Sequence, residues 1–243
     1  MSNSNTATPK YFSELLTEGE AVQVHCFDSV TDQYKWVARD IAKSLREDEL
    51  QIADVMIIVC DTFAIRSQGS KIISALSELK IPSHIAGITS AASAFFVPNS
   101  IPITHIFRAK GNEAPLVYIV GAESCFSGLE LSKKRNTLFT AVTRSRAWVR
   151  ICGVGSGMKG LQEEIASVTS QNYRLAFSYP TPTQIDKIRR VNRDISETEK
   201  RKIEEKIKTT NDILEDIAQG ELPLEALQPG SLEKLKSLLS KKK

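Results

Sequence analysis

Two hydrophobic rhythms alternate along the chain. Some stretches are short, nearly unbroken apolar runs; in longer ones apolar residues return every three or four positions. Residues 21–27 (AVQVHCF) and 55–60 (VMIIVC) are runs of the first kind and predict strands. The second, β-branched and without polar alternation, is expected to be covered on both faces. Between them Trp36, Val37, Ile41 and Leu45 predict a helix over 32–46, with Asp28 to Asp32 as turn and cap residues. Ile72, Ile73, Leu76 and Leu79 predict a helix over 66–79, and Pro82 opens a short strand at 84–88. Next come strands at 103–107 and 116–121, a helix over 132–146, a strand at 148–152, a helix over 158–169 and an edge strand at 173–178. Strands and helices in this alternation build a parallel α/β sheet flanked by helices.

Tyr179-Pro180-Thr181-Pro182 interrupts the pattern and marks a boundary. Residues 183–218 beyond it are charge-dense and helical, with a narrow stripe of Ile185, Ile188, Val191, Ile195, Ile203, Ile207, Leu214 and Ile217. Ser196 and Glu199 are spaced as a capping box that starts a helix afresh, and 231–240 predicts a last short helix. The stripe packs either on the α/β body or against a partner helix. The expected organisation is a polar lead-in at 1–20 with a short helix at 10–17, an α/β domain at 21–180 and a helical tail at 183–243.

Composition narrows this picture only slightly. The 243 residues are 41% hydrophobic and 25% charged, which is ordinary globular usage. A net charge of +3 permits a polyanionic partner without demanding one. Cys26, Cys60, Cys125 and Cys152 show no CxxC spacing and are expected to be reduced thiols, mostly buried. His25, His84 and His105 are far apart and make no metal motif. No apolar run reaches the length of a membrane span and no secretory signal pattern opens the chain, so a cytoplasmic protein without a membrane partner is expected.

The candidate chemistry lies in residues 104–150. Lys110-Gly111-Asn112-Glu113 stands before an apolar run, and Thr143-Arg144 follows 34 residues after Lys110 at the end of a helical pattern. Taken together, in this order and with a strand between them, the two pieces resemble the last two signature motifs of superfamily 1 helicases of the UvrD/Rep type, in an AKGNEA variant. The likeness covers roughly residues 20–155. It implies a RecA-like (P-loop NTPase-like) second motor domain, the C-terminal half of an ATP-dependent helicase or translocase. It also implies that Arg144 is an arginine finger. A guanidinium is planar, always charged and rich in donors, as stabilisation of a transferring phosphoryl group requires. Lys110, Gly111 and Glu113 would lie at the nucleotide, with Glu113 on the ribose, and Gly111 allows close backbone approach or a positive φ. His105 and Arg108 would contact the nucleic acid. His105 departs from the threonine usual in the family five positions before the lysine, and Asn112 stands where leucine is commoner. The residues alone also allow a solvated helix arginine and a charged turn ahead of a strand.

In the expected helix 132–146, Thr137, Thr140 and Arg144 share one stripe and Leu138, Ala141 and Val142 another, so one face can pack while Arg144 points across a cleft. A motor role is staked here on Arg144: burial of its side chain in a local ion pair, or an aim away from the carboxyl edge of the sheet, would count against it. Arg66 matches either a family arginine or a helix start, and Arg135 lies either near phosphate or in solvent. Gly153-Val154-Gly155-Ser156-Gly157 invites a phosphate reading, yet it lacks the GxxxxGK[ST] spacing, and tight packing explains it better. Residues 89–101 are too few to hold the accessory domain inserted there in UvrD and Rep.

No Walker A lysine or Walker B acid pair occurs, and the arginine-bearing early strand of the family's second domain would lie just before residue 1. The chain is therefore expected not to hydrolyse ATP alone. Its partners would be a first RecA-like domain, in cis or in trans, that holds ATP and Mg2+, and single-stranded DNA in preference to RNA. The alternative is a non-catalytic Rossmann-like module that binds nucleotide or protein.

Overall fold

The first apolar run forms strand β1, Val22–Phe27, after a single helical turn α1, Glu18–Ala21. Helix α2, Val30–Glu47, follows. It starts two residues earlier than the sequence suggests because Ser29 caps it, its hydroxyl accepting from Asp32 N at 3.1 Å. Strand β2, Val55–Val59, is buried at every residue, as its unbroken apolar character requires. Helix α3, Ile65–Glu78, leads to the short strand β3, Ser83–Ile85. Strand β4, Ile101–His105, passes into a short helix α4, Ile106–Ala109, where the sequence suggests continued strand to 107. Strand β5, Ala114–Val120, helix α5, Leu131–Val142, strand β6, Ser145–Val154, and helix α6, Gly155–Ser170, complete the body.

This computed structural model describes residues 18–128, 130–171 and 179–185, and scattered positions from 198 to 230. The expected helix 10–17, edge strand 173–178, helix 231–240 and most of the isoleucine stripe lie outside the described residues. The chain divides into two compact units, 1–192 and 193–243, and all the strands named above belong to the first.

The six strands form one parallel sheet in the order β1-β6-β5-β2-β4-β3. Alternation along the two inner strands separates two cores. Val55, Ile57 and Val59 of β2, with Leu116, Tyr118 and Val120 of β5, face Tyr34, Val37 and Ile41 of α2 and Ile65, Ile72 and Leu76 of α3. Met56 and Ile58, with Val117 and Ile119, face Ile106 and Ala109 of α4, Leu138 and Ala141 of α5, and Met158 and Leu161 of α6. Helices therefore cover both faces, which is why these strands carry no polar alternation. Leu79, expected on the apolar side of α3, is exposed just past the end of that helix. Gly69 lets α3 come close to β3: a Cβ there would meet Ile85 Cδ1 at 2.7 Å.

One polar chain crosses the first core. The buried Tyr118 hydroxyl donates to Asp40 Oδ2 at 2.7 Å, Arg150 Nε lies 3.7 Å from the same oxygen, and Arg150 donates to the Glu20 carbonyl at 2.9 Å. It links β5, α2, β6 and α1. Burial and the Asp40 carboxylate hold the Tyr118 phenol far above its ordinary pKa, so it remains a donor. Tyr118→Phe is expected to lower stability by about 1–2 kcal/mol, the scale of a hydrogen bond to a charged group. Urea unfolding at unchanged m-value measures it.

Candidate functional site

The two sequence signatures meet at the amino edge of the sheet. β5 and β6 are neighbours, with Ala114 in register with Ser145. The turn 110–113 and the residues 143–144 each immediately precede one of these strands. Ala114 N donates to the Arg144 carbonyl at 3.1 Å, so the backbone itself joins the two turns. Across that bond an Arg144 guanidinium nitrogen lies 4.0 Å from Glu113 Oε1, with side-chain exposures of 18% and 52%. Arg144 Nε also donates to the Thr140 carbonyl at 3.2 Å, and a terminal nitrogen to Thr143 Oγ1 at 3.3 Å. Gly111 has φ +90° and open space where a Cβ would stand. Its glycine is thus required by the left-handed backbone and not by a close approach. Lys110 is exposed beside it.

These positions correct two expectations. The helix ends at Val142 instead of running to 146, so Arg144 stands in the turn after it and the stripe it was to share with Thr137 and Thr140 ends short. Thr143 closes the last turn, its hydroxyl donating to the Thr140 carbonyl at 2.9 Å. The Arg144 carbonyl is then taken by the ladder with β5, and β6 begins at 145 instead of 148. Secondly, Arg144 does not face the carboxyl edge, nor is it free of a local partner. Neither condition on which a motor role was staked is met. The first was misplaced on topological grounds: a residue directly ahead of a parallel strand lies at that strand's amino end. The carboxyl-edge rule concerns the residues that follow strands. The ion pair is long and its acid half exposed, which puts it among surface pairs worth about 0–1 kcal/mol.

His105 and Arg108 lie apart from this edge. His105 closes β4 at the carboxyl edge, its Nδ1 buried without a hydrogen-bond partner. Burial, with the Arg108 charge nearby, lowers its pKa. Arg108 lies over Gly87, donates to the Ala92 carbonyl, and so ties α4 to the loop after β3. Gly87, at φ +71°, ends β3 well before residue 88. Arg135 is held by Glu164 at 2.7 Å and lies over the Phe126 ring, which favours neither of the two roles the sequence left open for it. Arg66 is exposed on the first turn of α3.

The glycine loop after β6 is occupied by the chain itself. Val154 N donates to Glu123 Oε2 at 3.1 Å. A Cβ on Gly153 would meet that carboxylate oxygen at 2.5 Å, and one on Gly157 would meet the Glu123 carbonyl at 3.2 Å. Glu123 thus sits where an anion would sit in a phosphate loop, and tight packing is the outcome. Sequence reasoning did not single out Glu123; its spacing from the glycines gives no signal, because the contact is made across 31 residues. Burial raises the Glu123 pKa, against two backbone hydrogen bonds that lower it. Tyr34 is pushed up to about 12 by burial and by the Glu123 charge. Below this loop, Cys60 and Cys125 are buried free thiols. A hydrogen bond with Cys60 draws Cys125 down to about 7, while the Cys60 thiol is held high. Cys152 is buried and Cys26 half-buried, both as free thiols.

A parallel six-stranded sheet with helices on both faces, carrying its two signatures at the amino ends of adjacent strands, is a doubly wound α/β domain. Residues 101–152, from β4 through most of β6, match the family of the UvrD-like helicase C-terminal domain. The helicase resemblance read in the sequence is borne out over that segment. Among solved structures, the C-terminal domain of a possible DNA helicase from Lactobacillus plantarum WCFS1 is similar at 19% identity and a TM-score of 0.40, over 60% of this chain and 83% of that one. The arterivirus nonstructural protein 10 helicase, in complex with DNA, is similar at 12% identity and a TM-score of 0.35, over 55% of this chain and 28% of that one. No curated protein matches the chain. Among the described residues no helix is long and apolar enough to cross a membrane.

Glu123 yields a pH prediction. Its folded pKa is raised, so the folded state holds this proton more tightly than the unfolded chain does. The resulting penalty on folding is present when the carboxyl is ionised in both states, and it disappears as pH falls through the unfolded value. Glu123→Gln keeps an acceptor for Val154 N. It is expected to be at least as stable as the parent at neutral pH, with the advantage shrinking in acid, as thermal unfolding across the carboxylate range would show.

Proposed function

We propose that this chain is the second motor domain of an ATP-dependent helicase or translocase acting on single-stranded DNA. The observation that carries this is the convergence of Lys110–Glu113 and Arg144 on one hydrogen-bonded edge, together with the family match over the same residues. The edge offers two cations, Lys110 and Arg144, and one carboxylate, Glu113, but no glycine loop of its own to enclose a triphosphate. Such a set suits a nucleotide held by another domain. ATP and Mg2+ would be bound mainly by a first RecA-like domain carrying the Walker motifs, in cis or in trans; the metal there supplies charge neutralisation on the phosphates.

Within that assembly Arg144 leaves Glu113 and turns its guanidinium to the phosphates, stabilising charge that develops on transfer. Its link to the Thr140 carbonyl keeps the side chain near its starting position. Glu113, released, accepts from a ribose hydroxyl. Lys110 supplies a second, mobile positive charge. Closing on the nucleotide and opening after hydrolysis would move the gripped strand. Alone, the chain is inactive as an ATPase.

A non-catalytic nucleotide- or protein-binding module is the second reading, favoured by the pairing of Arg144 with a carboxylate of its own domain. The two are separated by turnover. In the enzyme assembled with its Walker A domain, Arg144→Ala is expected to lower ATPase kcat a hundredfold or more while ATP affinity changes little. Arg144→Lys, which keeps charge but not the planar fork, is expected to recover only a small part. Unchanged turnover in Arg144→Ala removes the finger.

A further inference from the structure

Two of the four cysteines meet although they are far apart in sequence. Strands β2 and β5 are parallel neighbours, in register from Val55 beside Leu116 to Val59 beside Val120. Cys60 continues β2 by one residue, and its N–H donates to the Val120 carbonyl at 3.0 Å, so the pairing runs to the end of both strands. β5 then passes through Gly121 into a turn of 3-10 helix, Ala122–Cys125. The Ser124 hydroxyl and N–H both donate to the Gly121 carbonyl, at 2.8 and 3.2 Å, and close that turn. It brings the Cys125 sulfur to the Cys60 sulfur, and a hydrogen bond joins the two. Both lie in the second core, Cys60 at 6% exposure and Cys125 at 2%. The other two cysteines differ. Cys152 belongs to the first core and its sulfur lies 3.9 Å from the Arg150 carbonyl, while Cys26 lies 3.8 Å from the Gly155 carbonyl. Each of these has a backbone carbonyl for a partner in place of a thiol.

The paired thiols are chemically unequal. The hydrogen bond to Cys125, and then burial, hold the Cys60 thiol high and keep its proton in place. The same bond draws Cys125 down to about 7 against burial, helped by the Ser124 hydroxyl at 3.9 Å and by the charges of Lys134 and Arg135. At neutral pH one sulfur is therefore a nucleophile and its neighbour a proton donor, which is the division of labour between an attacking and a resolving thiol. Burial decides the oxidant. A bulky disulfide has no path to a sulfur that is 2% exposed, whereas hydrogen peroxide is little larger than water.

We infer that Cys60 and Cys125 are a dithiol site that a small peroxide oxidises to an intrachain disulfide, pinning the turn 122–125 to the end of β2. The Cys125 thiolate attacks one peroxide oxygen: an S–O bond forms, the O–O bond breaks, and the departing hydroxide takes up a proton as water. Cys60 then attacks the Cys125 sulfur: the S–S bond forms, the S–O bond breaks, and the Cys60 proton leaves with the hydroxide as a second water. The two thiols lose two electrons and the peroxide gains them. The sulfurs, already in contact, need only close to about 2.0 Å. The pinned turn also carries Glu123, which fills the glycine loop after β6, so the disulfide fixes that carboxylate in place. The site depends on neither the motor role nor Arg144.

The test treats the folded full chain with hydrogen peroxide, removes the excess with catalase, alkylates the remaining thiols and maps the peptides without reductant. The expected product is a linked Cys60–Cys125 peptide with Cys26 and Cys152 alkylated, and dithiothreitol is expected to restore all four thiols. Amide exchange across 122–126 is expected to slow about tenfold or more in the oxidised chain and to recover on reduction. Cys125→Ala is expected to leave Cys60 a thiol under the same treatment. The inference is overturned if all four thiols survive in the folded parent, if the link joins other cysteines or two chains, if Cys60 is oxidised without Cys125, or if exchange across 122–126 is unchanged. Mapping of the parent decides the matter even where Cys125→Ala does not fold.

Discussion

The hydrogen bond from Ala114 N to the Arg144 carbonyl is the constraint on which the site depends. It is the first rung of the β5–β6 ladder, and it joins two turns that are thirty residues apart in sequence. Neither turn carries a fixed geometry alone. Glycine at 111, with φ +90°, makes the first sharp enough to enter β5 at Ala114. The Thr143 hydroxyl, bonded back to the Thr140 carbonyl, stops α5 in time for β6 to start. Once both strands are in register, Glu113 and Arg144 have no choice but to be neighbours. The buried, featureless apolar runs of β5 and its partner β2 enforce that register from inside the sheet.

The two edges of the sheet have been put to different uses by the same means, local placement of a carboxylate. At the carboxyl edge Glu123 fills the glycine-lined start of α6 and is held there by Val154 N and the close approach of Gly153 and Gly157. An incoming phosphate would have to displace an anion that is covalently part of the chain. At the amino edge Glu113 is half-exposed and touches Arg144 only at 4.0 Å. One site is closed by burial and the other is covered only by a pair that water screens. This difference, rather than the presence of glycines, separates the filled loop after β6 from the turn ahead of β5.

Much of the fold was legible because its signals are local. The β-branched run 55–60, the helical spacing of Val37 and Ile41, and the turn residues from Asp28 to Asp32 each report on their own neighbourhood. The end of α5 was missed because nothing in Thr143-Arg144-Ser145-Arg146 forbids helix; the stop comes from a strand partner far away in sequence. His105–Phe107 was read as strand since Ile106 and Phe107 suit a strand, yet the chain there must return to the amino edge to begin β5. The site residues 110–113 and 144 were legible as a pair through a family likeness. Their edge was inferred wrongly, as the carboxyl one, although the amino edge follows from topology once each is seen to precede its strand.

The Arg144 pair then bears on mechanism through its weakness. A guanidinium tied to a buried carboxylate would give up several kcal/mol to reach another anion, and it would make a poor finger. This one is joined to a half-exposed acid at the limit of an ion pair, worth about 0–1 kcal/mol. A phosphate oxygen offering a bidentate, charge-assisted contact competes easily with that. The bond to the Thr140 carbonyl, at 3.2 Å, is made within the same turn and keeps the side chain from wandering into solvent. An arginine that must wait for a nucleotide brought by another domain needs both properties: an anchor that fixes where it starts, and a partner loose enough to be exchanged.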